Sequence, residues 1–125
     1  MTTRRQSLGK FGETYAVAML TRAGLDVVER NVRLKSGELD IVARDGTMLV
    51  FVEVRAKRGG AFGTPEESIT AAKAARLARL GHEYIEARKM ANAEWRIDVV
   101  ALEIDKQGKV TRAEHLKNAV GESPA

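Results

Sequence analysis

A mixed α/β domain, one sheet of about five strands flanked by helices in the order αβββαββ, is what this chain of 125 residues predicts. Three observations carry that expectation. Leu8, Phe11, Tyr15, Met19 and Ala23 recur at helical three- and four-residue steps. Asp45-Gly46 separates two strand-like runs in the way a hairpin turn does. A second helical stretch then divides that hairpin from the apolar run Trp95–Ile104.

Leu8–Ala23 reads as the first helix, with Ser7 as its N-cap and Gly24 as the glycine that ends it. Val27–Arg33 is the first strand. Gly37–Arg44 and Met48–Arg55 follow as an antiparallel pair. The basic, glycine-rich stretch Ala56–Gly63 reads as a loop. Thr64-Pro65-Glu66-Glu67 opens the second helix: Thr64 caps, proline suits the first turn and Glu67 completes a capping box. That helix is expected to reach about Arg88, with a break near Gly81. Trp95–Ile104 and Val110–Leu116 are the last two strands, turned at Gly108. Residues 1–119 form one domain on this reading, and 120–125 a frayed tail.

Composition narrows the function classes. At 44% hydrophobic and 30% charged residues, the chain is that of a globular protein rather than a disordered one. The absence of cysteine excludes disulfides, thiolate metal sites and a cysteine nucleophile. No apolar run reaches membrane-spanning length, and no apolar stretch follows Met1–Gln6 as in a secretory signal. A cytoplasmic protein without a membrane partner is therefore expected. A net charge of +4 permits a polyanionic partner.

The acids of the hairpin concentrate the chemistry. Strand alternation places Glu38, Asp40, Val42 and Arg44 on one face, and Leu39, Ile41 and Ala43 on the other. In the next strand Leu49, Phe51, Glu53 and Arg55 share a face. A two-residue Asp45-Gly46 loop sets Asp40 opposite Phe51 and Glu38 opposite Glu53, so that Asp40 and Glu53 are diagonal neighbours. Such proximity of like charges is destabilising without relief. A divalent cation bridging the carboxylates, an ion-pair ladder with Arg55 and Arg44, or exposure of the acids in another register would each supply it.

Several blocks occur in order: Gly9-Lys10-Phe11-Gly12-Glu13, Asn31-Val32-Arg33, Gly37-Glu38-Leu39-Asp40, Phe51-Val52-Glu53-Val54-Arg55, Arg96-Ile97-Asp98-Val99-Val100 and His115-Leu116-Lys117-Asn118-Ala119. Together they look like the YraN-like family of uncharacterised bacterial proteins. That family resembles the restriction-endonuclease and archaeal Holliday-junction-resolvase fold of the PD-(D/E)xK superfamily. The resemblance implies a restriction-endonuclease-like fold and a metal-dependent nuclease acting on DNA, branched or structured DNA included. It implies that Asp40 and Glu53 bind Mg²⁺ or Mn²⁺, with Glu13 as an outer ligand. Arg55 falls where the superfamily usually has lysine. Arginine cannot serve as a base, although it can clamp a phosphate bidentately. Lys57 or Lys73 would then stand in for the lysine. A branched-DNA enzyme is commonly a symmetric homodimer.

Lys57, Arg58, Lys73, Arg76 and Arg79 are the candidate phosphate contacts, the last three recurring along the second helix. Arg4, Arg5 and Lys10 would extend that footprint. Glu38 is expected to pair with an arginine, and Asp98 to pair with Arg96 or face water. His82 and His115 lack zinc-site spacing. His115 reads as a polar strand-end histidine, with a place at the edge of the site as the second reading, and Trp95 and Tyr84 belong to the core or its boundary. Gly59-Gly60-Ala61-Phe62-Gly63 lacks the lysine and helix of a phosphate-binding loop. A nucleic-acid-binding module without hydrolysis is the alternative class, and it predicts steeply salt-dependent binding.

Overall fold

A computed structural model describes residues 4–59 and 63–120, with side chains from Leu8 onward. The expected footprint of Arg4 and Arg5, residues 60–62 of the glycine-rich stretch and residues 121–125 of the tail lie outside the described set. The elements are α1 (Arg4–Arg22), β1 (Asp26–Leu34), β2 (Gly37–Asp45), β3 (Met48–Arg58), a 3-10 turn (Glu66–Ser68), α2 (Ala71–Ala87), β4 (Trp95–Ile104) and β5 (Val110–Leu116). The five strands form one sheet in the order β1-β2-β3-β4-β5. Only β3 and β4 run parallel, because α2 carries the chain over between them; the other neighbours are antiparallel. This is the mixed, helix-flanked sheet that the element order predicted.

Each helix buries one face of the sheet. On one side Ala16, Leu20 and Leu25 meet Ile41, Ala43, Val50, Val52, Val100 and Leu102. On the other Leu77, Leu80, Tyr84 and Ile85 meet Val42, Leu49, Phe51, Ile97 and Val99. The residues of β3 are therefore apolar on both faces, as expected of a strand covered twice.

Local chemistry sets the ends. Ser7 lies within α1, which starts at Arg4, so it is not the N-cap expected. Gly24 does end the helix. Its φ is +93°, its N–H donates to the Thr21 carbonyl (3.1 Å), and the Leu25 N–H donates to the Leu20 carbonyl (3.0 Å). That pair of bonds is a Schellman cap, and Leu20 and Leu25 bury together beneath it. The predicted capping box forms as well: Thr64 N–H donates to Glu67 Oε1 (2.8 Å) and Glu67 N–H to Thr64 Oγ1 (3.3 Å). It opens only the 3-10 turn, however. Ile69 is extended and packs toward the core, and α2 restarts with Thr70 as its own cap, accepting the Lys73 N–H at 3.2 Å. Arg112 of β5 holds this turn in place through Glu66 (2.6 Å), Glu103 and Glu114 (both 3.0 Å). Hydrogen bonding to Arg112 pulls the Glu66 carboxyl down to about 2.

The break expected near Gly81 is absent, since α2 is continuous from Ala71 to Ala87. Gly81 instead makes room for the core. A Cβ there would lie 2.7 Å from Trp95 Cζ3 and 3.1 Å from Phe51 Cε2. Gly81→Ala should therefore destabilise by about 1–3 kcal/mol despite alanine's better helix propensity. Urea denaturation checks this, and an alanine variant as stable as the parent would contradict it. Val120, assigned above to the tail, is buried against the α2 side of the sheet.

Candidate metal and phosphodiester site

The site lies where two strands part. β2 and β3 pair from Asp45↔Met48 to Ile41↔Val52 and no further, whereas β3 stays paired with β4 as far as Arg58↔Ile104. This register differs by two residues from the expected one: Phe51 faces Val42 rather than Asp40. Gly46, at φ +63°, takes the first central position of the turn, while Asp45 remains in the ladder. A two-residue shift preserves the faces, and one further rung brings Asp40 directly against Glu53. The ladder stops there because the Asp40 carboxylate replaces a backbone carbonyl, accepting the Val54 N–H at 2.9 Å.

Alternation also fails at this point. Leu39 belongs to the α2-side core with Val42, not with Ile41 and Ala43 as the pattern predicted. Across the ladder, Val32↔Leu39 and Arg30↔Ile41 flank Asn31, which adopts a left-handed φ of +53°. Asp40 is thereby turned into the gap between β2 and β3, and it lines a cavity on each helix side.

The first cavity, about 330 Å³, is bounded by Glu13, Asn31, Glu38, Asp40 and Arg55. The second, about 250 Å³, is bounded by Glu38, Asp40, Glu53, Arg55, Lys73 and Arg76. α1 comes close enough to form the first because Gly12 faces β3: a Cβ there would stand 3.2 Å from Ala56 Cβ. Glu13 follows immediately, accepting from Arg30 Nε (3.0 Å) and Asn31 Nδ2 (2.9 Å).

Charge is unbalanced here. Burial, then the charge of Glu53 and a hydrogen bond shared with it, push the Asp40 carboxyl up to about 8 against the opposing Val54 N–H; Glu13 adds to the rise. Arg55 Nη2 pairs with Glu53 Oε2 at 2.8 Å. Its Nε is buried and has no hydrogen-bond partner among the described residues. One cation, lining both cavities, thus partly neutralises two acids.

The candidate residues separate cleanly. Asp40, Glu53, Arg55, Lys73 and Arg76 come together, with Glu13 alongside. Among the described residues no group of three or more His, Asp or Glu is placed to hold a metal; Asp40 and Glu53 are in contact with each other, and Glu13 lines the first cavity with Asp40. Lys57 and Arg58 belong to β3, not to a loop, because β4 continues to pair with them; they line neither cavity. Lys57 Nζ reaches the Gly63 carbonyl at 3.4 Å. Lys73 Nζ donates to the Ser68 carbonyl at 3.2 Å. Glu38 pairs loosely with Arg33 (3.8 Å).

Asp98 pairs with Arg96 as expected, but it is wholly buried rather than facing water. His115 binds Asp98 and is not at the edge of the site; β4 lies between it and Glu53. Tyr84 and Trp95 pack on Phe51 with ring centroids 5.4 and 5.3 Å away, as core residues. Asn31, which bonds Glu13 and lines the first cavity, was recognised in the sequence only within a motif block.

The helices are not long and apolar enough to cross a membrane among the described residues. Residues 12–102 match the model of an uncharacterised protein family, UPF0102. A UPF0102 protein of Roseiflexus castenholzii is 46% identical over 124 residues, covering 98% of this chain and 100% of its own length. Another, from Moorella thermoacetica, is 43% identical over 119 residues, or 95% of this chain and 99% of that one. A third, from Beutenbergia cavernae, is 46% identical over 113 residues, covering 90% and 95% respectively.

Proposed function

This chain belongs to the uncharacterised protein family UPF0102, and we propose that it is a divalent-metal-dependent nuclease that hydrolyses phosphodiester bonds of DNA. One observation carries the reading: Asp40 and Glu53 meet where β2 and β3 part, beside an arginine with an unused buried donor. The residues suit Mg²⁺ or Mn²⁺, which favour one or two carboxylates with waters and phosphate oxygens. Burial first, and then the neighbouring Glu53 without enough positive charge between them, raises the Asp40 carboxyl. A bound divalent cation supplies Lewis-acid polarisation of the phosphate and a lowered water pKa.

The chain's own residues do the rest. Asp40 and Glu53 would hold the cation. The Val54 N–H fixes one Asp40 oxygen, and a cation between the two acids would replace the hydrogen bond that Asp40 shares with Glu53. Arg55, bound to Glu53 through Nη2 and partly exposed, would set its positive charge against the phosphate beside the acid pair. Arg55 takes no proton, so activation of the attacking water does not run through it. Lys73 and Arg76 add positive charge on the α2 side of the notch.

The test is cleavage of branched, flapped and linear DNA in Mg²⁺ and in Mn²⁺. Cutting should require metal and should vanish in Asp40→Ala and Glu53→Ala. Cutting that persists in both variants overturns the assignment. Because Arg55 replaces the usual lysine, a binding protein without hydrolysis is the second reading. Salt-sensitive DNA binding with no cutting in either metal would select it.

A further inference from the structure

The notch continues sideways. A cavity of about 440 Å³ lies between the β1–β2 turn and α2, bounded by Arg33, Leu34, Lys35, Ser36, Gly37, Glu38 and Arg76. It shares Glu38 and Arg76 with the cavity that holds Asp40 and Glu53, so the two form one groove. We propose that this groove is a second nucleic-acid contact, carrying the phosphodiester backbone of the substrate strand away from the acid pair along the β1–β2 turn.

Charge and rigidity support it. Three of the lining side chains are cations and one is an acid, Glu38, whose link to Arg33 is a long 3.8 Å contact at a largely exposed arginine. Among the described residues Arg76 makes no hydrogen bond or ion pair; its guanidinium lies over Gly37, where a Cβ would stand 2.9 Å from Nη2. A side chain at position 37 would force that guanidinium to shift. The turn is held by Glu83 of α2, which accepts the Ser36 N–H (2.9 Å) and the Ser36 hydroxyl. Glu83 is thus engaged behind the turn, where the hydrogen bonds from Ser36, then the charges of Arg79 and Lys35, pull its pKa down. Beyond the turn the lining becomes acidic, with Glu83 and Glu86, so the positive track ends at Lys35. Among the described residues no aromatic side chain lines the groove, so its contacts are with phosphates, not stacked bases, and are independent of sequence.

The proposal rests on the nucleic-acid reading of the neighbouring acids, and the experiment separates the two. A fluorescein-labelled DNA duplex is titrated by anisotropy over a range of salt in EDTA, where metal-dependent cutting cannot run. Arg33→Ala/Lys35→Ala should bind roughly tenfold more weakly at low salt, and the slope of log K against log salt should fall by about 1.8, at ~0.9 per phosphate contact. Arg22→Ala/Arg44→Ala removes the same charge at the opposite end of the sheet and should change neither by as much. Equal slopes and affinities in the parent and the groove variant, or equal losses in both double variants, overturn the groove even if cutting depends on Asp40 and Glu53. The expected loss in the groove variant, together with a parent that cuts in neither metal, leaves the groove standing and removes the nuclease.

Discussion

Asp40→Asn should make the metal-free protein more stable at pH 8 while abolishing DNA cleavage. In the folded protein burial and Glu53 push the Asp40 carboxyl from an ordinary 3.8 up to about 8. Below about pH 4 both the folded and unfolded chains keep this proton, and it costs nothing. Between about pH 4 and about pH 8 the unfolded chain releases the proton while the folded chain retains it. Stability therefore falls as pH rises through that window, by on the order of several kcal/mol, and then levels off. Asparagine does not titrate. Its carbonyl can accept the Val54 N–H and its amide can donate to Glu53, so the local bonds survive. Urea midpoints at intervals from pH 4 to pH 8 in EDTA should separate progressively, the variant remaining nearly flat. Parallel curves would show that Asp40 titrates normally. Mn²⁺ should then raise the midpoint of the parent far more than that of the variant, since only the parent offers both carboxylates.

Arg96→Met should be among the most damaging single substitutions outside the site. Asp98 is wholly buried. It accepts from Arg96 Nε (2.9 Å) and Nη2 (3.2 Å) and from the Asn118 N–H (2.8 Å), and it binds His115 Nε2 (2.7 Å). Arg96 Nη2 also reaches Asp45 at 3.0 Å, across the width of β3. Removing the guanidinium leaves a buried carboxylate short of its main counter-charge, a loss of about 3–5 kcal/mol. Denaturant unfolding measures it. Arg96→Met combined with Asp98→Asn should recover part of the loss, because the orphaned charge disappears with it. A single variant that loses under about 1 kcal/mol would mean that His115 and the Asn118 N–H suffice.

Most elements were legible because their signals are local. Gly24 and Leu25 build a Schellman cap within one turn of α1, and Asp45-Gly46 marks the hairpin to within one residue. The capping box at Thr64 was equally readable, yet it overstated the helix: the pull of Ile69 into the core breaks the chain between the turn and α2. Gly81 misled for a similar reason. A mid-helix glycine looks like a weak point until Trp95, fourteen residues on, occupies the space where its side chain would be. Lys57 and Arg58 read as loop because their pairing partners, Glu103 and Ile104, lie on a parallel strand beyond α2. For the site, Asp40, Glu53 and Arg55 could be named from motif and alternation. The step that turns Asp40 into the gap could not, since it depends on Asn31 across the ladder.

By itself, then, the sequence determined the kinds and order of the elements, the two-sided burial of β3 and the identity of the acid pair. These follow from periodicity, caps and residue chemistry acting over a few neighbouring positions. Only the tertiary structure decided that β2 and β3 part at Asp40, that Asp98 is buried beside Arg96 and His115, and that Arg33, Lys35 and Arg76 share a groove with the acids. Each of those depends on groups far apart along the chain, and the free energy of a buried or crowded charge is set by what surrounds it in space.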